Sequence, residues 1–365
     1  MTGDPGPPTA LCRARRPLTT YDAQHRAEGR DLNTDTRAAA WAVPRHVRRR
    51  RAGRRAALTC AFLLFAGLSV VLGCRTADTD GVTPVPQLLA FLPWLLIPLG
   101  VALVIALYTH WWSGVLWAVV LLGLLAWFLQ PYGRTGDPVG PAVAELRVLT
   151  SNVEFGKGTG ALVGAVRREK PDLVFVQECE STCATLLRAE LGGTYPHRRA
   201  VEGDGSKGSV ILSRFPLTSA KGVEATLGMP AAVAEIGGLD VRLQLAHPMP
   251  PLPGQTGVWA RELDALHDVV ARDDKTPTLV AGDFNASQDH AAFRPLLDAG
   301  LRDAARLAGS GRTPSWPAAT LPAFGVQIDH VLVSEDFTSR DARFLDLDGT
   351  DHRALLVDLT LGRAG

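Results

Sequence analysis

Apolar residues follow three different rhythms along the 365-residue chain. The first ~40 residues, rich in Pro, Gly, Thr, Ala and Arg, show no apolar period and read as a disordered tail. From Ala56 the apolar pattern becomes continuous, and the stretches 56–73, 87–108 and 111–129 hold no charged residue. A helix needs about 20 apolar residues to cross a bilayer core, so three transmembrane helices are expected, the first at the short end. Pro93 and Pro98 fall inside the second stretch, where membrane helices tolerate proline. Tyr108, Trp111 and Trp112 mark a tight turn between the second and third, as an interfacial aromatic belt would.

After a Gly- and Pro-rich linker at 130–144 the rhythm changes again. Short β-branched runs at 146–153, 172–177, 209–212, 231–236, 241–246, 278–281, 328–333 and 354–361 predict strands. Helical periods cover 159–169, 182–191, 256–272 and 289–298. Adjoining strands suggest hairpins within a mixed α/β (α+β) domain. The expected fold is a two-sheet β-sandwich flanked by helices and preceded by three transmembrane helices. There is no internal sequence repeat.

Charge sharpens this division. The whole chain carries a net +1, with 46% hydrophobic and 21% charged residues, which excludes a disordered polyelectrolyte and a small disulfide scaffold. The near-neutral value is a cancellation. Residues 1–55 sum to +8, 56–144 to −1, and 145–365, with 23 Lys and Arg against 29 Asp and Glu, to −6. The basic run Arg48–Arg51 with Arg54 and Arg55 abuts the first apolar stretch, and such clusters stay in the cytoplasm. The expected division is a basic cytoplasmic tail at 1–55, spans at 56–129, a linker at 130–144 and an extracytoplasmic catalytic domain at 145–365. A lipoprotein signal ending in Leu72-Gly73-Cys74 would also fit the basic start and apolar run, but the two further spans and the long tail argue against it. Cys179 and Cys183, four residues apart, are either bridged or two small buried thiols. No second Cys or His pair is spaced to complete a zinc site.

Chemistry-bearing residues gather at the carboxyl ends of the predicted strands. Asn152 closes Arg-Val-Leu-Thr-Ser-Asn, and Glu178 closes Asp-Leu-Val-Phe-Val-Gln-Glu. His247 ends another run. Asp283 and Asn285 lie in Gly-Asp-Phe-Asn, where period-two alternation would point both the same way and Gly282 would let the backbone approach a ligand. Asp329 and His330 lie in Gln-Ile-Asp-His, and Asp351 and His352 in Thr-Asp-His. Hard oxygen donors mixed with imidazoles suit Mg²⁺ or Mn²⁺ and phosphoryl chemistry.

In this order, with Gln177-Glu178 and Ser213-Arg214, the motifs resemble the endonuclease/exonuclease/phosphatase superfamily over residues 145–361. Thr350 stands where the family usually has Ser, and Ala246 where a Thr is common before the His. The resemblance implies that Asn152, Glu178 and Asp351 hold or orient the metal. It implies that Asp283 handles the attacking water and that Asn285 holds a phosphate oxygen. His352, oriented by Asp329, would act on the phosphate or nucleophile, and His247 would donate to a phosphate oxygen or the leaving group. His330 faces away from Asp329 on a strand and reads as structural, and Lys207, Arg214 and Arg261 read as solvated surface charge, with substrate contact the alternative for each.

The family includes nucleases, sugar and inositol phosphatases and sphingomyelinases, and fold does not choose among them. The domain's acidity disfavours nucleic acid as the partner. A domain tethered through about 15 residues stays near the bilayer, where the substrates are lipid phosphates and pyrophosphates. Spans followed by this domain also resemble the VanJ group of teicoplanin-resistance membrane proteins, associated with dephosphorylating undecaprenyl pyrophosphate. The expected partners are therefore a lipid (pyro)phosphate and the bilayer, with no protein partner implied. The alternatives are an extracytoplasmic nuclease or phosphodiesterase and an inactive binding or scaffold module.

Overall fold

The computed structural model describes residues 45–133, 140–273 and 275–363. Residues 1–44 of the expected tail, with Cys12, and 134–139 of the expected linker lie outside these. The chain divides into two compact units, Met1–Thr59 and Cys60–Gly365.

Helix α1 spans Arg45–Thr76. Residues 45–55 therefore extend the first apolar helix instead of belonging to a disordered tail. Arg, which makes up most of this segment, is a good helix former, and an apolar helix already nucleated propagates into it. The second expected span is interrupted. Helix α2, Val85–Ala90, is followed by a 3₁₀ turn at Leu92–Leu95 and helix α3, Leu96–Tyr108. Pro93 lies in the 3₁₀ turn and Pro98 in the first turn of α3, where a missing N–H costs nothing. Helix α4, Trp112–Phe128, has 17 residues, a length of about 26 Å against a bilayer core of about 30 Å. Among the described residues one stretch, Arg49–Thr76, is long and apolar enough to cross a membrane by length and composition. Three full-length crossings are thus not established. The three apolar segments pack on one another through Phe65, Leu72, Leu99, Leu121 and Leu125.

The remaining elements are β1 (Ala142–Asn152), α5 (Thr159–Glu169), β2 (Leu173–Gln177), α6 (Ser181–Leu191), β3 (His197–Val201), β4 (Ser209–Ser213), β5 (Leu217–Val223), β6 (Met229–Ile236) and β7 (Leu239–Ala246). They continue with α7 (Thr256–Ala271), β8 (Thr278–Asp283), α8 (Arg294–Asp298), β9 (Arg302–Asp303), α9 (Ala304–Leu307), β10 (Asp329–Val333), β11 (Phe337–Leu345) and β12 (Ala354–Gly362). Two six-stranded mixed sheets form, ordered β11-β12-β1-β2-β4-β3 and β5-β6-β7-β8-β10-β9. The expected two-sheet sandwich flanked by helices is present.

The core lies between the sheets, where Val148, Phe175, Leu243, Leu279, Val331 and Val357 meet. The outer face of the first sheet packs against α5 and α6 through Leu162, Val166, Val176 and Leu187. The outer face of the second packs against α7 through Trp259, Leu263 and Val280. Both sheets are built alike. Each centres on a parallel pair joined through a helix, β1 with β2 and β7 with β8, and the second strand of each pair has an antiparallel neighbour, β4 or β10. Cys179, just before α6, forms a disulfide with Cys183 within it, Cα atoms 5.2 Å apart.

The 78–94 segment is fastened to the catalytic domain by polar contacts. The Asp80 carboxylate accepts from the backbone N–H groups of Ala291 (2.8 Å) and Ala292 (2.9 Å). Asp78 pairs with the buried Arg294. Gln87 Nε2 donates to the Pro251 carbonyl at 2.5 Å, Trp94 Nε1 to that of Gly325 at 3.2 Å, and a ring nitrogen of His290 meets the Pro86 carbonyl at 2.8 Å. At the end of α4, Arg312 binds the Phe128 carbonyl (3.0 Å) and the buried Asp289 (2.5 and 2.9 Å). The helix expected over 289–298 is confined to Arg294–Asp298 because the residues before it make these contacts and Pro295 sits at its start.

Candidate active site

The site follows from the paired construction of the sheets. In a parallel pair both carboxyl ends lie on one edge. That edge of β1 and β2 carries Asn152 and Glu178, and that of β7 and β8 carries His247 and Asp283. Strand β10 runs the other way and starts there with Asp329, paired directly with Asp283. The turn before β12 adds Asp351 and His352. All eight candidate residues therefore meet at one end of the sandwich.

Asn152 joins the two sheets. Its Nδ2 donates to Glu178 Oε1 and to Asp283 Oδ2, each at 3.1 Å, so both amide protons are used. Its Oδ1 accepts from the Glu154 N–H at 3.0 Å. The other oxygen of Glu178 accepts from the Phe155 N–H at 3.0 Å. Glu178 has φ 55 and Asn285 φ 48. Both are left-handed conformations that non-glycine residues rarely adopt, and here they fall on candidate site residues. Strand β8 ends at Asp283, so alternation does not orient Asn285. Its N–H instead donates to Asp283 Oδ1 at 2.8 Å and its Nδ2 to the Pro248 carbonyl at 3.1 Å. Gly282 also serves another purpose than the one expected. A Cβ there would lie 1.9 Å from the Ala246 carbonyl oxygen, so the close approach is between β8 and β7, not toward a ligand.

Asp283 and Asp329 are buried and directly opposite each other, an arrangement costly for two carboxylates. His352 lies between them. Its Nδ1 is 2.9 Å from Asp329 Oδ2, and its Nε2 is 3.7 Å from Asp283 Oδ2 and 3.8 Å from Asp351 Oδ1. Burial alone would lower the imidazole pKa, but Asp329, Asp283 and Asp351 outweigh it and push it to about 10. His352 is therefore a cation at neutral pH. Burial raises Asp283 to about 7, opposed by His352 and assisted by Asp329. Burial lowers His247 to about 3, with the His352 charge adding to the effect, so His247 is neutral. Its Nε2 lies 3.9 Å from Glu178 Oε1, and its Nδ1 has no protein partner.

Asp283, Asp329 and His352 are close enough to surround a cation. Within that group His352 Nδ1 is hydrogen-bonded to Asp329. Further oxygen donors for a divalent ion stand beside it in Glu178, the half-exposed Asp351 and Asn152. Four carboxylates against one charged imidazole leave an excess of negative charge, and Asp329 Oδ1 is buried without a partner. This donor set fits a hard cation.

Other residues fix the site. The Thr350 hydroxyl donates to the Asn152 carbonyl (2.8 Å) and accepts from the His352 N–H (3.1 Å), a use for the hydroxyl retained at that position. Ser315 Oγ accepts from the N–H groups of Ile328 and Asp329, each at 3.0 Å. Trp316 Nε1 donates to Asp351 Oδ2 at 2.8 Å. Neither residue stands out in the sequence beyond a Trp set between prolines in a loop. His330 points away, as expected, bound to Asp303 (2.7 Å) and the Ala286 carbonyl (3.0 Å). Arg214 sits at the far end of β4 and pairs with Asp172. Arg261 is exposed on α7.

No curated protein sequence matches the chain. Among solved structures, humanized D. rerio TDP2 with 14 mutations is 16% identical, covering 59% of this chain and 98% of its own, with a TM-score of 0.51. D. rerio TDP2 complexed with single strand DNA product gives 16%, 59%, 99% and 0.51. An endonuclease/exonuclease/phosphatase from Beutenbergia cavernae DSM 12333 gives 20%, 60%, 72% and 0.49. At such identities the likeness to TDP2 is one of fold. The sequence profile of the Endonuclease/Exonuclease/phosphatase family matches residues 149–352, more than half of the chain and every residue assembled at this edge of the sandwich. The chain belongs to that family of metal-using hydrolases of phosphate esters.

Proposed function

We propose that this protein is a membrane-anchored, extracytoplasmic phosphohydrolase using Mg²⁺ or Mn²⁺, and that it acts on a lipid phosphate or pyrophosphate such as undecaprenyl pyrophosphate, like the VanJ group it resembles. The observation that carries the reading is the fastening of the catalytic domain to an apolar helical module through Asp78, Asp80, Gln87 and Trp94. That module leaves Leu63, Ile97, Val104, Leu116 and Trp127 more than 60% exposed, an apolar surface suited to lipid and costly in water. The Cys179–Cys183 bridge favours an oxidising compartment. The domain's −6 charge gives little attraction for a polyanion.

In this reading Glu178, Asp351 and Asn152 hold the divalent ion, which when bound neutralises phosphate charge. Asp283, raised by burial, accepts a proton from the attacking water. The His352 cation, held by Asp329, stabilises charge developing on the phosphoryl oxygens. His247 is neutral and keeps one N–H to donate to a phosphate oxygen or the leaving group. Asn285 has one amide proton beyond its bond to Pro248 and offers it to a phosphate oxygen.

The test offers full-length protein in lipid nanodiscs, with Mg²⁺ or Mn²⁺, undecaprenyl pyrophosphate and, separately, plasmid DNA. Phosphate release from the lipid supports the reading, whereas nicked DNA without lipid hydrolysis establishes the nuclease alternative. An alkaline phosphatase reporter fused after residue 140 should be active if the domain lies outside, and an inactive fusion refutes the topology.

A further inference from the structure

Between the 86–91 segment and the catalytic domain lies a cavity of about 260 Å³ reached by Asn285 and His352. Its other walls are largely apolar, formed by Phe91 on the helical-module side and by Leu252, Trp316 and Ile328 on the domain side. The walls are fixed relative to each other. Gln87 is hydrogen-bonded to Pro251 and Trp94 to Gly325, while Phe91 and Trp94 pack against Phe324 with ring centroids 5.7 and 4.7 Å apart. The space is thus present before any substrate arrives.

We propose that this cavity is the subsite for the apolar chain of the substrate, receiving the carbons next to the phosphate. The inference rests on the lipid-phosphate reading above. A molecule that reaches His352 and Asn285 with its phosphate and fills the same cavity must be polar at one end and apolar immediately beyond it. Apart from Gln87 and His290 the remaining wall is apolar, so a nucleotide or sugar phosphate would set most of its ring hydroxyls against Phe91, Leu252 and Ile328. The volume lies just below the ~300 Å³ at which small-molecule pockets begin, so the cavity holds only the proximal part of a long chain.

Full-length protein in nanodiscs with Mg²⁺ is offered dimethylallyl, geranyl and farnesyl pyrophosphate, and phosphate release is followed. For the wild type, kcat/KM should rise at least ~10-fold from the shortest to the longest chain, because each buried methylene adds to binding. Leu252→Trp, which narrows the mouth, and Phe91→Ala, which removes a wall, should each bring that ratio toward one. Leu252 is 46% exposed, so its replacement leaves folding intact and decides the matter if Phe91→Ala does not fold. An unchanged ratio in Leu252→Trp overturns the subsite. A wild type that hydrolyses all three equally also overturns it and leaves the lipid-phosphate reading standing. A wild type that releases phosphate from none of them overturns the subsite, and undecaprenyl pyrophosphate in the same assay then decides the lipid-phosphate reading separately.

Discussion

Asp329→Asn tests the charge arrangement at the centre of the site. Asp329 is fully buried, accepts from His352 Nδ1 at 2.9 Å and faces Asp283 across the strand pair. Against burial, the surrounding carboxylates carry His352 from its ordinary 6.5 to about 10. That shift amounts to on the order of 5 kcal/mol of preference for the charged ring in the fold. Asp329 is the strongest of the raising influences, so its neutralisation should remove a large share of that preference. Because the folded pKa is raised, this stabilisation is complete below pH 6.5 and is lost as pH rises through about 10. Above about pH 8 neither His247, lowered to about 3, nor Asp283, raised to about 7, still changes charge, so the window from 8 to 10 isolates His352. Thermal unfolding of metal-free, full-length protein in detergent should place the variant several degrees below wild type at pH 8. The gap should narrow at pH 10. Turnover should fall about 10²–10⁴-fold, and its alkaline limb should move from near 10 toward 7. A Tm gap that stays constant across pH would refute the reasoning.

Asn152→Ala removes the bond between Glu178 and Asp283 and should weaken the apparent Mn²⁺ affinity about 10–100-fold, read from the metal dependence of phosphate release. Arg312→Ala leaves the buried Asp289 unpaired and should cost about 3–5 kcal/mol, seen as a lower Tm. The same change frees the Phe128 carbonyl, so limited proteolysis between the helical module and β1 should accelerate. Gly282→Ala places a methyl group against the Ala246 carbonyl and should destabilise by at least ~3 kcal/mol, measured as loss of folded, soluble domain.

The strands found from the sequence and those missed divide by position in the sheets. Every interior strand shows as a β-branched or Leu-rich run because both its faces are covered. The four missed strands, β3, β5, β9 and β11, are the four sheet edges. His197–Val201 and Leu217–Val223 are half-exposed and carry Arg, Lys, Ser and Thr, which keeps an edge soluble but removes the apolar signal. Arg302–Asp303 is only two residues long. The eight candidate residues could be picked out of the sequence because most of them close or open an apolar run. The bonds among them were not, since Asn152 reaches Asp283 across 131 positions and Thr350 reaches Asn152 across 198.

The two similar sheets explain why so many carboxylates can share one buried edge. Each parallel pair delivers one carboxylate to that edge, Glu178 from one sheet and Asp283 from the other, and antiparallel β10 adds Asp329 beside Asp283. Folding this cluster without compensation would raise carboxylate pKa values and favour protonation. The compensation comes from His352 on one side and the Asn152 amide on the other, with the oxygen set of Glu178 and Asp351 left for a cation. The same residues that make the site foldable therefore prepare it for an anionic phosphate. The imidazolium supplies positive charge, Asn152 fixes the spacing between sheets, and a bound metal ion would remove the remaining repulsion. Removing the metal should consequently lower stability as well as activity, with both losses centred on this edge.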